Sequence, residues 1–475
     1  MPDDPTTIDP RDQRLADLEA QLRQALARIA ELQQQVVDLQ ARLTEAERAG
    51  KRQATPFARA EHKAKRKRPG RKAGQGKFEY RARPTPDQVT ATKVAPLPNC
   101  PDCGGRLGAR KQHEQFVIDL PEAPLSVTRY VTQSGHCPTC AHRVRSRHPE
   151  QISDATGAAG VVIGPRAKAL AADWKHRLGV SFAKIAEMLS VAYGLRFTRS
   201  GLCQADTRLA FKRAQPVYAE LIDLVRQSAV VHTDETGWRI DLLSAWLWVF
   251  TNRHLTVYTI QASRGHEVAV DILGREFQGV LVADCFTAYD HRDLRDWLQQ
   301  KCLGHLLKDL GKLRETKTRG AIRFAQDVTA VLRAALTLRD QKPRLTTRQF
   351  RVRAGRLERR LDHLIDPRRQ LTDADNQRLA QRLRKQRAHL FRFLYLDGLD
   401  ATNNQAERML RPAVITRKTN GCNRTTRGAF AHSILASVLV TCRQQGVSLL
   451  ETFVKLQRAT DISLGTLGLL PPPAS

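Results

Sequence analysis

Three acidic residues stand where regular structure would hold them rigidly. Asp234 follows the apolar residues Ala229, Val230 and Val231, and Asp284 follows Val280, Leu281, Val282 and Ala283. Apolar runs of this kind suit buried strands, so each acid is expected where a strand reaches the surface. Glu407 lies in the segment Thr402-Asn403-Asn404-Gln405-Ala406-Glu407, where either asparagine could cap a helix and place the glutamate in its first turn. Carboxylates on such frames suit phosphodiester cleavage, which uses hard oxygen ligands around two divalent ions about 4 Å apart. Each acid also has a structural alternative. A strand-end aspartate can cap a turn, and Glu235 competes with Asp234, although neighbours on a strand face opposite ways. Glu407 could pair with Asn404 in a capping box or bridge to Arg411 one turn on.

Four of the nine cysteines form two close pairs, Cys100-Pro-Asp-Cys103 and Cys137-Pro-Thr-Cys140. Two such knuckles supply four thiolates to one tetrahedral structural zinc. Gly104 and Gly105 permit a tight turn behind the first pair. HEQFVIDL and LSVTRYVTQ between the pairs read as strands, which completes a zinc ribbon pattern.

The frame around these residues is very basic. The chain has 475 residues and a net charge of +30, which points to a polyanionic partner, DNA above all. Leu15, Leu18, Leu22, Ala25, Ile29, Leu32, Val36, Leu39, Leu43 and Ala46 alternate at spacings of three and four. They predict a coiled coil that makes the protein a homo-oligomer, with an intramolecular hairpin as the alternative. The stretch KAKRKRPGRKAGQGK is too charged and breaker-rich to bury surface. Its Arg66, Lys67, Arg68, Arg71 and Lys72 are expected to meet DNA phosphates from a mobile arm. No apolar run is long enough to span a membrane and the first residues do not read as a signal peptide, so a cytoplasmic protein is expected.

From about residue 160 the pattern turns helical, and FAKIAEMLSVAYGLRFTRSGLCQADTRL reads as a helix–turn–helix broken at Gly194, with a second helix opening at Thr198 or Ser200. Strands are expected in SAVVHTDETGWRI, SAWLWVFTN, LTVYTIQA and GVLVADCFTAYD. A helical stretch over 312–395 and a helix pair near 404–411 and 429–445 follow. Strands, then helices, with one long helical interruption make a mixed α/β catalytic domain.

HTDETGW, VADCFTAYD, CLGHLLKDL and NNQAERMLRP, in this order, resemble the transposases of the insertion sequence 66 family. The upstream order of coiled coil, KRPGRKAGQGK arm, CPDCGG…CPTC pairs and helical region is similar too. The resemblance implies a multidomain protein with an RNase H-like core and a helical insertion before the last acid. The domains are then a coiled coil (1–50), a basic arm (51–85), a zinc ribbon (86–150), a helical DNA-binding region (151–226), the catalytic domain (227–445, insertion about 312–395) and a tail (446–475). It also implies a triad of Asp234, Asp284 and Glu407 holding Mg²⁺ or Mn²⁺, cleavage of element ends, and strand transfer into target DNA. Cys285 stands where the family often has Gly after the second acid. Arg408, Arg411, Arg417 and Lys418 would clamp DNA beside Glu407, and His305 and Lys308 could meet a phosphate. A bacterial source and small accessory proteins are implied as well. The alternatives are a non-catalytic repressor derived from a transposase and a structure-specific nuclease on the same fold.

Overall fold

The heptad-like leucines lie on one long helix, α1 (Pro10–Lys51). Leu15, Leu18, Leu22, Ile29, Leu32, Val36 and Leu39 are all exposed on it. The structure, a computed structural model, describes residues 10–51, 82–108, 111–120, 125–317 and 320–469. It comprises two units, one of residues 57–127 and one of residues 1–56 with 128–475. The arm cations Arg66, Lys67, Arg68, Arg71 and Lys72 lie outside the described residues.

In the smaller unit, the HEQFVIDL segment forms no strand. LSVTRYVTQ, residues 125–133, forms none either. The short strands are instead β1 (Ser134–His136) and β2 (Arg143–Arg145), paired antiparallel on either side of Cys137 and Cys140. Val117, Ile118, Leu120 and Val127 are largely exposed. β-branched residues favour strands only where a neighbouring strand and a covering face receive them.

Helices α2 (Pro165–His176), α3 (Phe182–Tyr193) and α4 (Arg199–Leu209) follow. Gly194 ends α3 in the left-handed conformation at φ 67°, and the Thr198 hydroxyl caps α4 by accepting the Gly201 N–H at 3.1 Å. Ile185, Leu189 and Leu202 close a small core with Ala171. α4 continues through a π-helical turn, Ala210–Ala214, into α5 (Gln215–Arg226).

α5 leads into a mixed sheet made of β3 (Val230–Ile240), β4 (Leu243–Thr251), β5 (Thr256–Gln261), β6 (Val280–Ala283) and β7 (Leu298–Lys301). The strand order is β5-β4-β3-β6-β7. The first three strands are antiparallel, whereas β6 and β7 run parallel to β3. Helix α6 (Glu267–Leu273) makes the crossover from β5 to β6.

After β7 come α7 (Leu303–Thr316), α8 (Ala321–Gln341), α9 (Thr347–Leu364), α10 (Ala374–Gln386) and the short α11 (Arg392–Tyr395). Their apolar faces join Val280 and Val282 of β6 in one core. Helices α12 (Asn404–Asn420), α13 (Thr426–Gln444) and α14 (Leu449–Arg458) close the described chain. Leu247 and Val249 of β4 pack on Ala406 and Leu410 of α12. On the other sheet face Val231, Leu281 and Ala283 pack with residues of α5, α6, α13 and α14. Phe453, Leu464, Leu467 and Leu469 share that core, so residues 449–469 are built into it. Ser437 and Thr441 of α13 accept the backbone N–H groups of Tyr258 and Thr256 on β5.

The strand expected over SAVVHTDETGWRI forms as β3, but Asp234 lies within it rather than at its end, because β4 pairs along it from His232 to Ile240. One expectation about element bounds changes. α12 does not stop near Arg411 but passes through Pro412 to Asn420. The proline's missing donor is outweighed by packing of Ala413 on the sheet and by Arg417, which donates to Thr236 Oγ1 at 3.0 Å and to the Gly237 carbonyl.

Candidate active site

β3 and β6 pair in parallel only as far as His232 and Val282. Two residues further along each strand stand Asp234 and Asp284. With a side-chain period of two, both acids continue the face of that last pair. Asp284 has already left β6, and its Oδ1 accepts the Phe286 N–H at 2.9 Å, which fixes the turn. Asp234 Oδ1 accepts the Glu235 N–H at 2.9 Å. The loss of β6 as a neighbour, rather than the end of β3, opens a groove at Asp234.

Glu407 faces the same groove from the first turn of α12. Asp234, Glu235, Thr236, Glu407, Leu410 and Arg411 line it together, whereas Asp284 is not part of its lining. Neither structural alternative for Glu407 is realised. Asn403 is the N-cap residue, but its side chain turns to β3, donating to the Thr233 carbonyl at 2.7 Å. Among the described residues Glu407 makes no ion pair with Arg411; its nearest cationic neighbour is His305 of α7, at 3.8 Å. Cys302, His305 and Glu407 offer ligand atoms within 4.8 Å of one another. The three acids do not form so tight a group among the described residues.

Electrostatics bind these residues into one site. Burial, then the charges of Glu235 and Asp284, together push the Asp234 carboxyl up to about 7 against the backbone hydrogen bond. His305 is pushed up to about 9, first by the adjacent Cys302 sulfur and, against its burial, by the charges of Asp284 and Glu407. It is therefore cationic at neutral pH beside the acids.

Glu235 points to the other face of β3, as strand alternation requires, and its side chain is almost wholly buried. Arg264 donates to its Oε1 from Nε at 3.0 Å and from Nη2 at 2.8 Å, and the Tyr289 hydroxyl donates to Oε2 at 3.0 Å. The Arg264 guanidinium sits over both Trp246 and Phe286. The next residue, Asp290, faces buried Lys301 at 3.3 Å and Lys385 of α10 at 2.9 Å. Tyr289 and Asp290 thus lock the turn after Asp284 to β3, β7 and the helical insertion. Single-residue reasoning did not reveal these ties, because their partners lie far apart in sequence.

The four cations after Glu407 do not act alike. Arg411 and Lys418 are exposed on the α12 face that carries Glu407. Arg408 is exposed and donates to Gln405 Oε1 at 3.0 Å. Arg417, by contrast, is spent on Thr236 and Gly237. Lys308 is exposed on α7.

Each cysteine pair forms its own knuckle. The Gly104 N–H meets the Cys100 carbonyl at 2.9 Å, and the Ala141 N–H meets the Cys137 carbonyl at 2.9 Å. Backbone N–H groups of Cys103 and Asp102 hold the Cys100 thiol below its ordinary value, and those of Cys140 and Thr139 act likewise on Cys137. Gly104 takes φ 73° behind the first knuckle, a conformation that favours glycine.

The family model described as Transposase IS66 family matches residues 160–431, more than half of the chain, and the chain belongs to that family. No match emerges among curated protein sequences. Among the described residues no helix is long and apolar enough to cross a membrane.

Proposed function

We propose that the protein is a DNA transposase that cleaves element ends and joins them to target DNA, with Asp234, Asp284 and Glu407 as its catalytic acids. The observation that carries this reading is the placement of two acids just past the last paired residues of β3 and β6, with Glu407 of α12 lining one groove with the first of them, Asp234. The strand order and directions of the sheet, with α7–α11 between β7 and α12, support an RNase H-like core.

The acids fit a divalent magnesium or manganese ion. They are oxygen donors, and the Asp234 carboxyl is raised first by burial and then by the charges of Glu235 and Asp284, both of which a bound cation would offset. A bound ion would polarise the scissile phosphodiester and make water and the freed 3′-hydroxyl effective nucleophiles. The protein's own groups do the rest. Asp234 and Asp284 are held by backbone N–H groups, so they need no reorganisation. Glu235 has its carboxylate engaged by Arg264 and Tyr289 and fixes the strand that carries Asp234. His305 brings positive charge to Glu407, and exposed Arg411 and Lys418 offer phosphate contacts on the same helix face.

Cys100, Cys103, Cys137 and Cys140 would hold a structural zinc, since the amides aimed at Cys100 and Cys137 favour the thiolate form that zinc requires. The seam of α1 would join copies of the chain, and the arm would add phosphate contacts.

The test incubates the protein with labelled element ends and Mg²⁺. Nicks followed by joined products are expected, and Asp234→Ala, Asp284→Ala and Glu407→Ala should each abolish both while DNA binding persists. Cleavage without joining would favour a nuclease, and binding without cleavage a repressor.

A further inference from the structure

The π-helical turn after α4 borders a groove unrelated to the catalytic acids. Residues 147–149 and 151–153, the start of α2, one face of α4 and the end of α14 line it, and its volume is 760 Å³. Six of its lining residues are cations, Arg147, Lys168, Arg208, Lys212, Arg213 and Arg458, and no lining residue is acidic.

Two of the six already have partners. Arg213 donates to the carbonyls of Leu456, Gln457 and Ala459 and so closes the end of α14. Arg147 faces Asp154 at 3.5 Å. Lys168, Arg208, Lys212 and Arg458 have no ion pair among the described residues. Lys168 is half-buried, and both its burial and the charge of Arg208 lower its amine pKa. Like charges packed together at a half-buried place cost free energy unless an anion meets them. Apolar side chains also enter the lining, Val161, Val162 and Phe197 among them. Cations in one lining with apolar side chains suit a sugar–phosphate chain better than a small ion. The size of the groove, well beyond one phosphate, points the same way.

We propose that this groove binds the backbone of duplex DNA, as a site separate from the catalytic groove. Gln204, Ala205 and Arg208 of α4 lie at helical spacing and enter this lining with Lys212. The second helix of the helix–turn–helix would therefore hold phosphates along this face, which positions DNA without reading bases. This rests on the reading of the chain as a DNA-processing enzyme, but not on its catalytic residues.

The experiment measures binding of a short fluorescein-labelled DNA duplex to the full chain across a salt series. Lys168→Gln, Arg208→Gln and Lys212→Gln together should flatten the dependence of log affinity on log salt by roughly 2–3, since each phosphate contact contributes about 0.9. Affinity should fall at least about tenfold at moderate salt. The charge-keeping set Lys168→Arg, Arg208→Lys and Lys212→Arg should restore the wild-type slope, which a purely structural role would not do. If the triple variant does not fold, exposed Lys212→Gln alone should lower the slope by about 1. An unchanged slope and affinity would overturn the proposal. Should the wild type still cleave element ends in that case, the catalytic reading stands and only the groove falls. A flattened slope in a protein that never cleaves would leave the groove and remove the catalysis.

Discussion

Replacing Asp234 by Asn should make the metal-free protein more stable, although the residue is proposed to be catalytic. The folded environment moves the Asp234 carboxyl from 3.8 to about 7. A group with a raised folded pKa binds its proton more tightly in the folded state. The wild type should therefore lose stability as pH rises from 3.8 to about 7, and the loss should level off above that. The full shift corresponds to about 4 kcal/mol. The groove is open to water on one side, so about 2–4 kcal/mol is the expected cost of the ionised form. Asn has nearly the same shape, cannot ionise, and can still accept the Glu235 N–H. In a chelator near pH 8, Asp234→Asn should then melt roughly 4–16 °C above the wild type. Near pH 5 the gain should shrink to about a third, because only that part of the titration has been crossed. Tryptophan fluorescence is a suitable assay, since all five tryptophans lie between Trp174 and Trp297, inside the family-matched segment. Added Mg²⁺ should raise the melting temperature of the wild type and leave the variant nearly unmoved. An equal or lower melting temperature for the variant near pH 8 would refute the argument that the acids crowd one another.

Three further outcomes are expected. Glu235→Gln should keep most cleavage activity, because its amide oxygen can still accept from Arg264, whereas Glu235→Ala should cost about 1–3 kcal/mol of stability by leaving the buried Tyr289 hydroxyl and the part-exposed Arg264 without that acceptor; equal melting curves for the two would show that the acceptor at this position does not matter. Cys100→Ser with Cys137→Ser should lower the zinc content from about one per chain to none in metal analysis, and unchanged zinc would dismiss the site. Ile29→Asp with Leu32→Asp should reduce the particle mass in light scattering, since the charges enter the α1 seam; a constant mass would assign assembly to other surfaces.

Parts of this arrangement were legible in the residues. The runs before Asp234 and Asp284 announced β3 and β6 because buried parallel strands need apolar side chains on both faces. Gly194 and Thr198 marked the break between α3 and α4 by their local conformational roles. β7 was illegible, because Gln299, Gln300 and Lys301 are polar yet buried. The amide of Gln300 donates to the Leu390 carbonyl and its oxygen accepts the Phe393 N–H, while Gln299 donates to the Tyr289 carbonyl. Such residues read as surface until their distant partners are known. Glu407 was ambiguous for a related reason. A first-turn glutamate after asparagine has the signature of a cap, and only the sheet, by drawing the Asn403 side chain away, leaves the acid to the groove. Apolar character misled in HEQFVIDL, where residues of strand type found no ladder.

The hydroxyls of Ser437 and Thr441 that meet β5 have a consequence for assembly. An outermost strand normally carries a row of unspent amides, which a strand from another molecule can extend. Here the β5 amides at Thr256 and Tyr258 already have acceptors supplied by a buried helix. The β5 margin is thus blunted against growth at these two amides without the sheet being rolled into a barrel. On the proposed reading, copies of the chain would join through helices, loops or the DNA rather than along β5.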